Sequence, residues 1–162
     1  YGTLHIAMEM FAASAGIKLL HVPFRGAGPA LTGLLSGTVQ AVASAPGTLR
    51  AQVDDGKMRV LAGWGAKRVA SFPDVPTFQE LGYKDVEFYI WAGLFAQTAL
   101  PAPIMAKLRD AMGEAVRAPE VTKTFETAGS PVAYLDAPEF AKFVEADSTR
   151  LISAVKKIGK VE

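Results

Sequence analysis

The residues best suited to chemistry in this chain form a glycine-rich corner, Phe24-Arg25-Gly26-Ala27-Gly28. The apolar run before the corner predicts a strand, and Pro29 directly after it favours the start of a helix. A helix that starts in such a corner has backbone N–H groups without intrahelical partners, and such groups bind small anions. Arg25 adds a positive charge with a planar set of donors. The corner therefore predicts a small-anion site, with a plain tight turn as the alternative.

The corner does not fit the patterns that bind nucleotides. Gly26 and Gly28 match the first two glycines of the dinucleotide fingerprint, but Leu31 stands at the third glycine position. No lysine follows at the spacing that a phosphate loop needs. We therefore expect no cofactor.

Catalytic and metal-binding side chains are scarce elsewhere. The chain has no cysteine, which excludes thiolate catalysis and cysteine zinc sites. The only two histidines are His5 and His21, and no local spacing of His, Asp and Glu supplies further metal ligands. We predict no metal site and no catalytic residue. His21 is expected to be structural, whereas His5, near a helix start, is a candidate to face a ligand.

Composition excludes two further classes of partner. Seventeen Lys and Arg stand against 16 Asp and Glu, a net charge of +1, and no basic stripe of the kind that binds nucleic acid is present. No run of about 18 apolar residues occurs, so we expect no membrane insertion. Half of the residues are hydrophobic, which is enough for a packed core.

The first half of the chain alternates between predicted strands and predicted helices. A second strand-to-helix corner lies at Ser44-Ala45-Pro46-Gly47. Helices are expected at 4–15, 29–35 and 48–53, and strands at 17–22, 39–43 and 59–63. This alternation predicts an α/β fold with a parallel sheet, and it places the strand-to-helix corners at one edge of that sheet.

The second half has a different character. A short helix is expected to end at Leu81, and residues 86–95 form the longest β-rich run. Helices are expected over 104–115 and 121–128, and a last one follows Asp136 as its N-cap. We divide the chain into an α/β lobe over 1–87, a crossing strand over 88–96 and a mainly helical part over 97–162.

Four longer motifs are typical of one family. They are HVPFRGAGPALTGLLSGTVQAV, GKMRVLAGWGAKR, FPDVPTFQELGY and WAGLFAQTALPAPIMAKL. With these motifs the chain resembles the Bug-type extracytoplasmic receptors of tripartite tricarboxylate transporters, which are abundant in Bordetella and its relatives. The resemblance extends over essentially all 162 residues.

The resemblance implies a periplasmic-binding-protein-like fold and a receptor function without catalysis. Such receptors are periplasmic, have two lobes that close around a small carboxylate, and deliver it to the membrane components of the transporter. The resemblance further implies that this chain corresponds to the second lobe and the returning C-terminal part of the first lobe. The N-terminal part of lobe one would then be lacking, so we expect weak or absent ligand binding by this chain alone.

The resemblance also implies which residues bind the ligand and which act as a hinge. The ligand-binding residues it implies are Gly2, Thr3, His5, Phe24, Arg25, Gly26, Ala27, Gly28, Ser44 and Ala45. The implied hinge residues are Phe88 and Trp91. Gly2 replaces a hydroxyl residue that is frequent in the family, and Gln40 replaces a frequent Asp. These departures leave the ligand open among amino acids, di- or tricarboxylates and aromatic acids.

Two other functions stay open from the residues. One is an enzyme that uses the corner as an oxyanion site with His5 as the base. The other is an interaction domain without a ligand. Because the apolar faces of the last helices have little sheet of their own to cover, we also expect the chain to self-associate.

Overall fold

The computed structural model describes residues 2–159, with the side chain of Ile158 excepted. Helices account for most of the regular structure. They are α1 (Thr3–Ala15), α2 (Ala27–Leu35), α3 (Pro46–Asp54), α4 (Ala102–Arg117), α5 (Pro119–Thr127) and α6 (Ala137–Ile158). Each lies within a few residues of a helix that the sequence predicts.

Local signals explain where these helices start and end. Gly16 ends α1 in the left-handed region with φ 65°, where a side chain would be strained. A proline occupies the first turn of α3, α4 and α5, where its missing N–H removes no hydrogen bond. These signals depend only on neighbouring residues, and for this reason the sequence reveals them.

The predicted strands do not form within residues 2–159. The segments 17–22, 39–43, 59–63 and 86–95 have no regular secondary structure apart from one isolated parallel bridge between Gly63 and Thr77. A strand requires a second strand about 4.8 Å away that exchanges backbone hydrogen bonds with it. Apolar composition predicts a segment that suits a sheet, but it does not supply that partner. The prediction of a parallel sheet is thus not confirmed.

The chain divides into two compact units. The first unit comprises residues up to Ile90 together with those from Ala154 onward, and the second unit comprises Trp91–Ser153.

The core of the first unit is formed by side chains of α1 and of the segments around Phe78 and Phe88. Its buried apolar side chains are Ala7, Met10, Ala12, Phe78, Val86 and Phe88. The ring of Phe78 packs against Phe11 and Trp64, with centroid distances of 4.7 and 4.9 Å. Trp64 also donates from Nε1 to the carbonyl oxygen of Ala7 at 3.2 Å. This bond ties the segment after the third predicted strand to α1.

A capping box orders the turn that follows Pro73 and Pro76. The backbone N–H of Thr77 donates to Glu80 Oε2 at 2.7 Å, and the backbone N–H of Glu80 donates to Thr77 Oγ1 at 3.1 Å. Arg68 donates from Nε to both carboxylate oxygens of Glu80 at 3.0 Å. Arg68, and next the Thr77 N–H, lower the pKa of Glu80. The chain forms only a turn here, and the predicted short helix through Leu81 is wrong, because Gly82 takes φ 87° and ends the helical geometry after one turn.

The second unit contains an aromatic cluster around Trp91. The Trp91 ring meets Phe140 and Phe143 edge-on, with centroid distances of 5.4 and 5.8 Å. Its Nε1 donates to Asp147 Oδ2 at 3.0 Å, and Asp147, which is only 5% exposed, also pairs with Arg150. The cluster fixes α6 against the segment that begins at Trp91.

Candidate functional site

The corner before α2 has the geometry of an uncapped helix N-terminus. Gly26 is the N-cap with φ 105°, a conformation that favours glycine, and no side chain caps the helix. The Gly26 N–H donates back to the carbonyl oxygen of Phe24 at 3.0 Å. The N–H groups of Ala27 and Gly28 lie in the first turn, where a helix offers them no acceptor, and Pro29 has no N–H. Arg25 is exposed beside them. The corner therefore presents two backbone donors and one cation.

The side chain of Phe24 lies against α2. A Cβ atom built on Gly33 would come within 2.6 Å of Phe24 Cζ and 3.0 Å of Cε1. The ring therefore fills the space that a side chain at Gly33 would need. The ring thus has a packing partner within the same unit, and ligand binding by Phe24 stays a prediction.

The N-terminus of α1 is joined to the segment that leads into the corner. Gly2 is the uncapped N-cap and Thr3 is the first helical residue. The buried ring of His5 stacks on His21, with centroids 3.7 Å apart and an interplanar angle of 7°. His5 Nε2 also lies 3.3 Å from Glu9 Oε1. Desolvation, and next the proximity of His5, lower the pKa of His21.

The second strand-to-helix corner, Ser44-Ala45-Pro46-Gly47, opens α3. Ala45 is its N-cap with no side-chain cap, and Pro46 occupies the first turn. The Oγ atom of Ser44 is buried and has no hydrogen-bond partner in the described part of the chain. Since α2 packs on α3, the corners that open both helices belong to neighbouring elements.

These groups are suited to binding an anion. The N-termini of α1, α2 and α3 lack side-chain caps because Gly2, Gly26 and Ala45 have no side-chain acceptor, and those of α4 and α5 are uncapped as well. The positive end of a helix macrodipole corresponds to about half an elementary charge. No group of three or more His, Cys, Asp and Glu residues suited to a metal ion occurs between residues 2 and 159. Nor does any helix of the described residues have the length and apolarity needed to cross a membrane.

The predicted hinge residues lie in different environments. Phe88 is 5% exposed and its N–H donates to the carbonyl oxygen of Trp64 at 3.1 Å in the first unit. Trp91 belongs to the aromatic cluster of the second unit. Their role as a hinge stays a prediction.

Sequence reasoning missed two contacts at this site. Nothing in the spacing of His5 and His21 indicates that their rings stack, because the contact depends on how the segment after α1 folds back. The contact between Phe24 and Gly33 is equally invisible, since residues nine apart on a turn and a helix have no fixed relation. The Thr77–Glu80 capping box did have a signal, the spacing T-x-x-E within FPDVPTFQELGY.

Comparison with known proteins identifies the family. The family model described as "Tripartite tricarboxylate transporter family receptor" matches residues 1–160. The chain belongs to this receptor family. The resemblance predicted from the sequence motifs is therefore confirmed.

Three relatives illustrate the similarity of this family member to known receptors. BugT of Bordetella pertussis is 28% identical over 96% of this chain and 48% of BugT. A TctC solute-binding protein from Polaromonas, solved without ligand, is 26% identical with a TM-score of 0.80 over 96% of this chain and 54% of that one. MatC from Rhodopseudomonas palustris, solved with bound malate, is 27% identical with a TM-score of 0.78 over 94% of this chain and 53% of MatC.

The similarity covers about half of most of these proteins. The chain spans 47% and 43% of the length of two further curated relatives. Its fold is that of periplasmic binding proteins of the TctC type. The Polaromonas structure is described as that of a TctC solute-binding protein, and a further similar structure as that of the periplasmic binding protein BugD.

Proposed function

We propose that this chain is part of a periplasmic receptor that captures a small carboxylate and delivers it to the membrane components of a tripartite transporter, without transforming it. Membership of the receptor family supports this function. The malate bound to MatC supports a carboxylate as the ligand. The uncapped N-termini of α1, α2 and α3, which lie at the predicted ligand-binding loops, are consistent with an anionic guest.

The observation on which this function rests is the open start of α2. Two unpaired backbone donors at Ala27 and Gly28 follow Arg25 in the sequence by two and three residues, and Arg25 is exposed. A carboxylate accepts hydrogen bonds from both kinds of donor, and bonds to a charged group are shorter and stronger than neutral ones. Rigid backbone donors need little ordering when a ligand arrives, which suits reversible capture. The ligand-binding set then comprises Gly2, Thr3, His5, Phe24, Arg25, Gly26, Ala27, Gly28, Ser44 and Ala45.

The same proposal includes the architecture of the whole receptor. Residues 1–87 would form one α/β lobe in which the apolar segments pair as a parallel sheet, and residues 97–162 would belong to the other lobe. The segment 88–96 would cross between the lobes with Phe88 and Trp91 as the hinge. Periplasmic receptors close by rotation at a few residues of this kind.

Calorimetric titration with malate tests this function on the whole receptor of which this chain is proposed to be part, since weak or absent binding is expected of the chain alone. We expect binding, and we expect Arg25→Gln to weaken it by about tenfold to 100-fold, since a hydrogen bond to a charged group contributes about 1.5–3 kcal/mol. Arg59→Gln is the matched control because Arg59 is another exposed arginine of the first unit, and it should leave the affinity unchanged.

Two outcomes would contradict the proposal. If malate, citrate, glutamate and benzoate all fail to bind to the whole receptor, the protein is not a carboxylate receptor. If NMR spectra of the same samples show malate being consumed, and His5→Gln abolishes the consumption, the protein is an enzyme with His5 as its base.

A further inference from the structure

The contact between Phe24 and Gly33 links the corner to the body of α2. Gly33 is the only buried residue of that helix. A Cβ atom built on Gly33 would lie 2.6 Å from Cζ of Phe24, 3.0 Å from its Cε1 and 3.5 Å from its Cε2. Three atoms of one ring edge therefore face the helix backbone. The ring is part-buried by this contact, whereas Arg25 through Gly28 are exposed.

The contact lies two residues before the N-cap of α2. Only Arg25 separates Phe24 from Gly26, and the Gly26 N–H donates to the Phe24 carbonyl oxygen at 3.0 Å. Gly26 has φ 105°, and as a glycine it has no side chain that could pack to hold this conformation. No side-chain cap fixes the start of the helix either. The packing of the Phe24 ring on Gly33 is thus a side-chain contact made directly beside the corner.

We infer that Phe24 is a positioning residue, whose ring packs on Gly33 and thereby holds the N–H groups of Ala27 and Gly28 in the direction that binds an anion. This inference rests on the proposed function, and within the proposed set of binding residues it assigns Phe24 the positioning of the backbone donors in place of direct contact with the ligand. It also assigns a role to Gly33: the absence of a side chain there makes room for the ring.

The variant Gly33→Ala separates positioning from folding. Alanine is a better helix former than glycine, so α2 should persist. The added Cβ meets the far end of the Phe24 side chain, which can swing away without a change in the helix. Circular dichroism should therefore show unchanged helix content. The ¹H–¹⁵N spectrum without ligand should show shifted amide signals for Gly26, Ala27 and Gly28.

Affinity for malate is the second measurement. We expect Gly33→Ala to weaken binding by about threefold to 100-fold, the range typical of contacting residues that are coupled. Phe24→Leu in the Gly33→Ala background shortens the side chain and makes room for the new Cβ, so it should restore part of the affinity. Leu35→Ala, at an exposed position of the same helix, is the control and should change neither measurement.

The outcomes distinguish this inference from its alternatives. If Phe24→Leu alone weakens binding while Gly33→Ala changes neither the affinity nor the corner amides, Phe24 contacts the ligand directly and the inference is wrong. If the unmodified protein binds no malate, the proposed ligand is wrong, but the amide shifts of Gly33→Ala still decide whether the ring positions the corner. Should Gly33→Ala fail to fold, the ligand-free amide signals of Phe24→Leu decide, because an unshifted corner would overturn the inference.

Discussion

At the scale of single residues, the stacked pair His5 and His21 makes the stability of the first unit sensitive to pH. Their centroids lie 3.7 Å apart, so two positive charges would repel strongly if both rings were protonated. Among the described residues, the charges that act on His21 are those of His5, which lowers its pKa, and of Glu9, which raises it. Desolvation is the largest cause of its lowered pKa, and repulsion from His5 is the second.

We predict that the protein loses stability as the pH falls through 6.5. The pKa of His21 is lowered from 6.5 on folding, so the unfolded chain binds more protons below that pH and the free energy of unfolding decreases. The decrease ends once the pH is below the pKa of the folded state. Urea unfolding of the protein and of His21→Gln between pH 8 and 5 measures this, and the variant should have the smaller pH dependence. Because the chain has only two histidines and no cysteine, few other groups titrate in this range. Equal pH dependence in both proteins would contradict the prediction.

Residue types at the corner could be predicted, but the directions of their side chains could not. Gly26 and Gly28 indicate an open helix start because glycine conformations and helix ends follow from local sequence. The direction of the Phe24 ring depends on packing against Gly33, and sequence spacing contains no information on that contact. The stack of His21 on His5 is consistent with the structural role expected of His21, and contact of His5 with a ligand stays a prediction.

At the scale of elements, helices were predictable and strands were not. Helix ends follow local signals such as Pro46 in the first turn of α3 and Gly16 after α1. A strand forms only when it pairs with a second strand, and the sequence pattern does not show which segment that is. In the described residues Gly63 instead bridges to Thr77, in the turn that the capping box orders.

The start of α6 provides a prediction at this scale. The carbonyl oxygen of Asp136 accepts the N–H of Phe140 at 2.8 Å, which agrees with its expected place as N-cap. Its carboxylate pairs with Arg109 of α4, and Arg109, followed by the Ala137 N–H, lowers the pKa of Asp136 to about 2. At pH values above 3.8, the ordinary pKa of an Asp carboxyl, this pairing should contribute fully to the free energy of unfolding. The contribution should be lost as the pH falls toward about 2.

Carboxyl NMR signals measured against pH test the pairing of Asp136 with Arg109. We expect Asp136 to titrate with a midpoint of about 2 in the unmodified protein. Arg109→Gln should raise that midpoint toward the ordinary value, because it removes the largest cause of the shift. Arg117→Gln, at the other end of α4, is the control and should leave it unchanged. A midpoint in the ordinary range in the unmodified protein would show that the pair does not form in solution.

At the scale of the whole molecule, apolar side chains are exposed along the segments that were predicted to be strands. Leu20 is 91% exposed, Leu61 63% and Leu94 62%. In the proposed receptor these side chains would be covered when the segments pair in a sheet. The expectation of self-association from the sequence has the same physical origin, since exposed apolar surface promotes contact with other surfaces.

The family was predictable from sequence because its motifs are long and mark the corner, the capped turn and the aromatic segment. The ligand was not predictable, because it is set by contacts from facing loops whose arrangement depends on the closed receptor. The central claim is that a carboxylate binds at the start of α2.

A crystal structure of the protein grown with malate tests that claim most directly. We predict a carboxylate oxygen at about 2.7–3.2 Å from the backbone nitrogen atoms of Ala27 and Gly28, the ordinary hydrogen-bond range. The Arg25 guanidinium should lie on the same side of the ligand. Malate bound elsewhere, with the Ala27 and Gly28 N–H groups facing only water, would contradict the account.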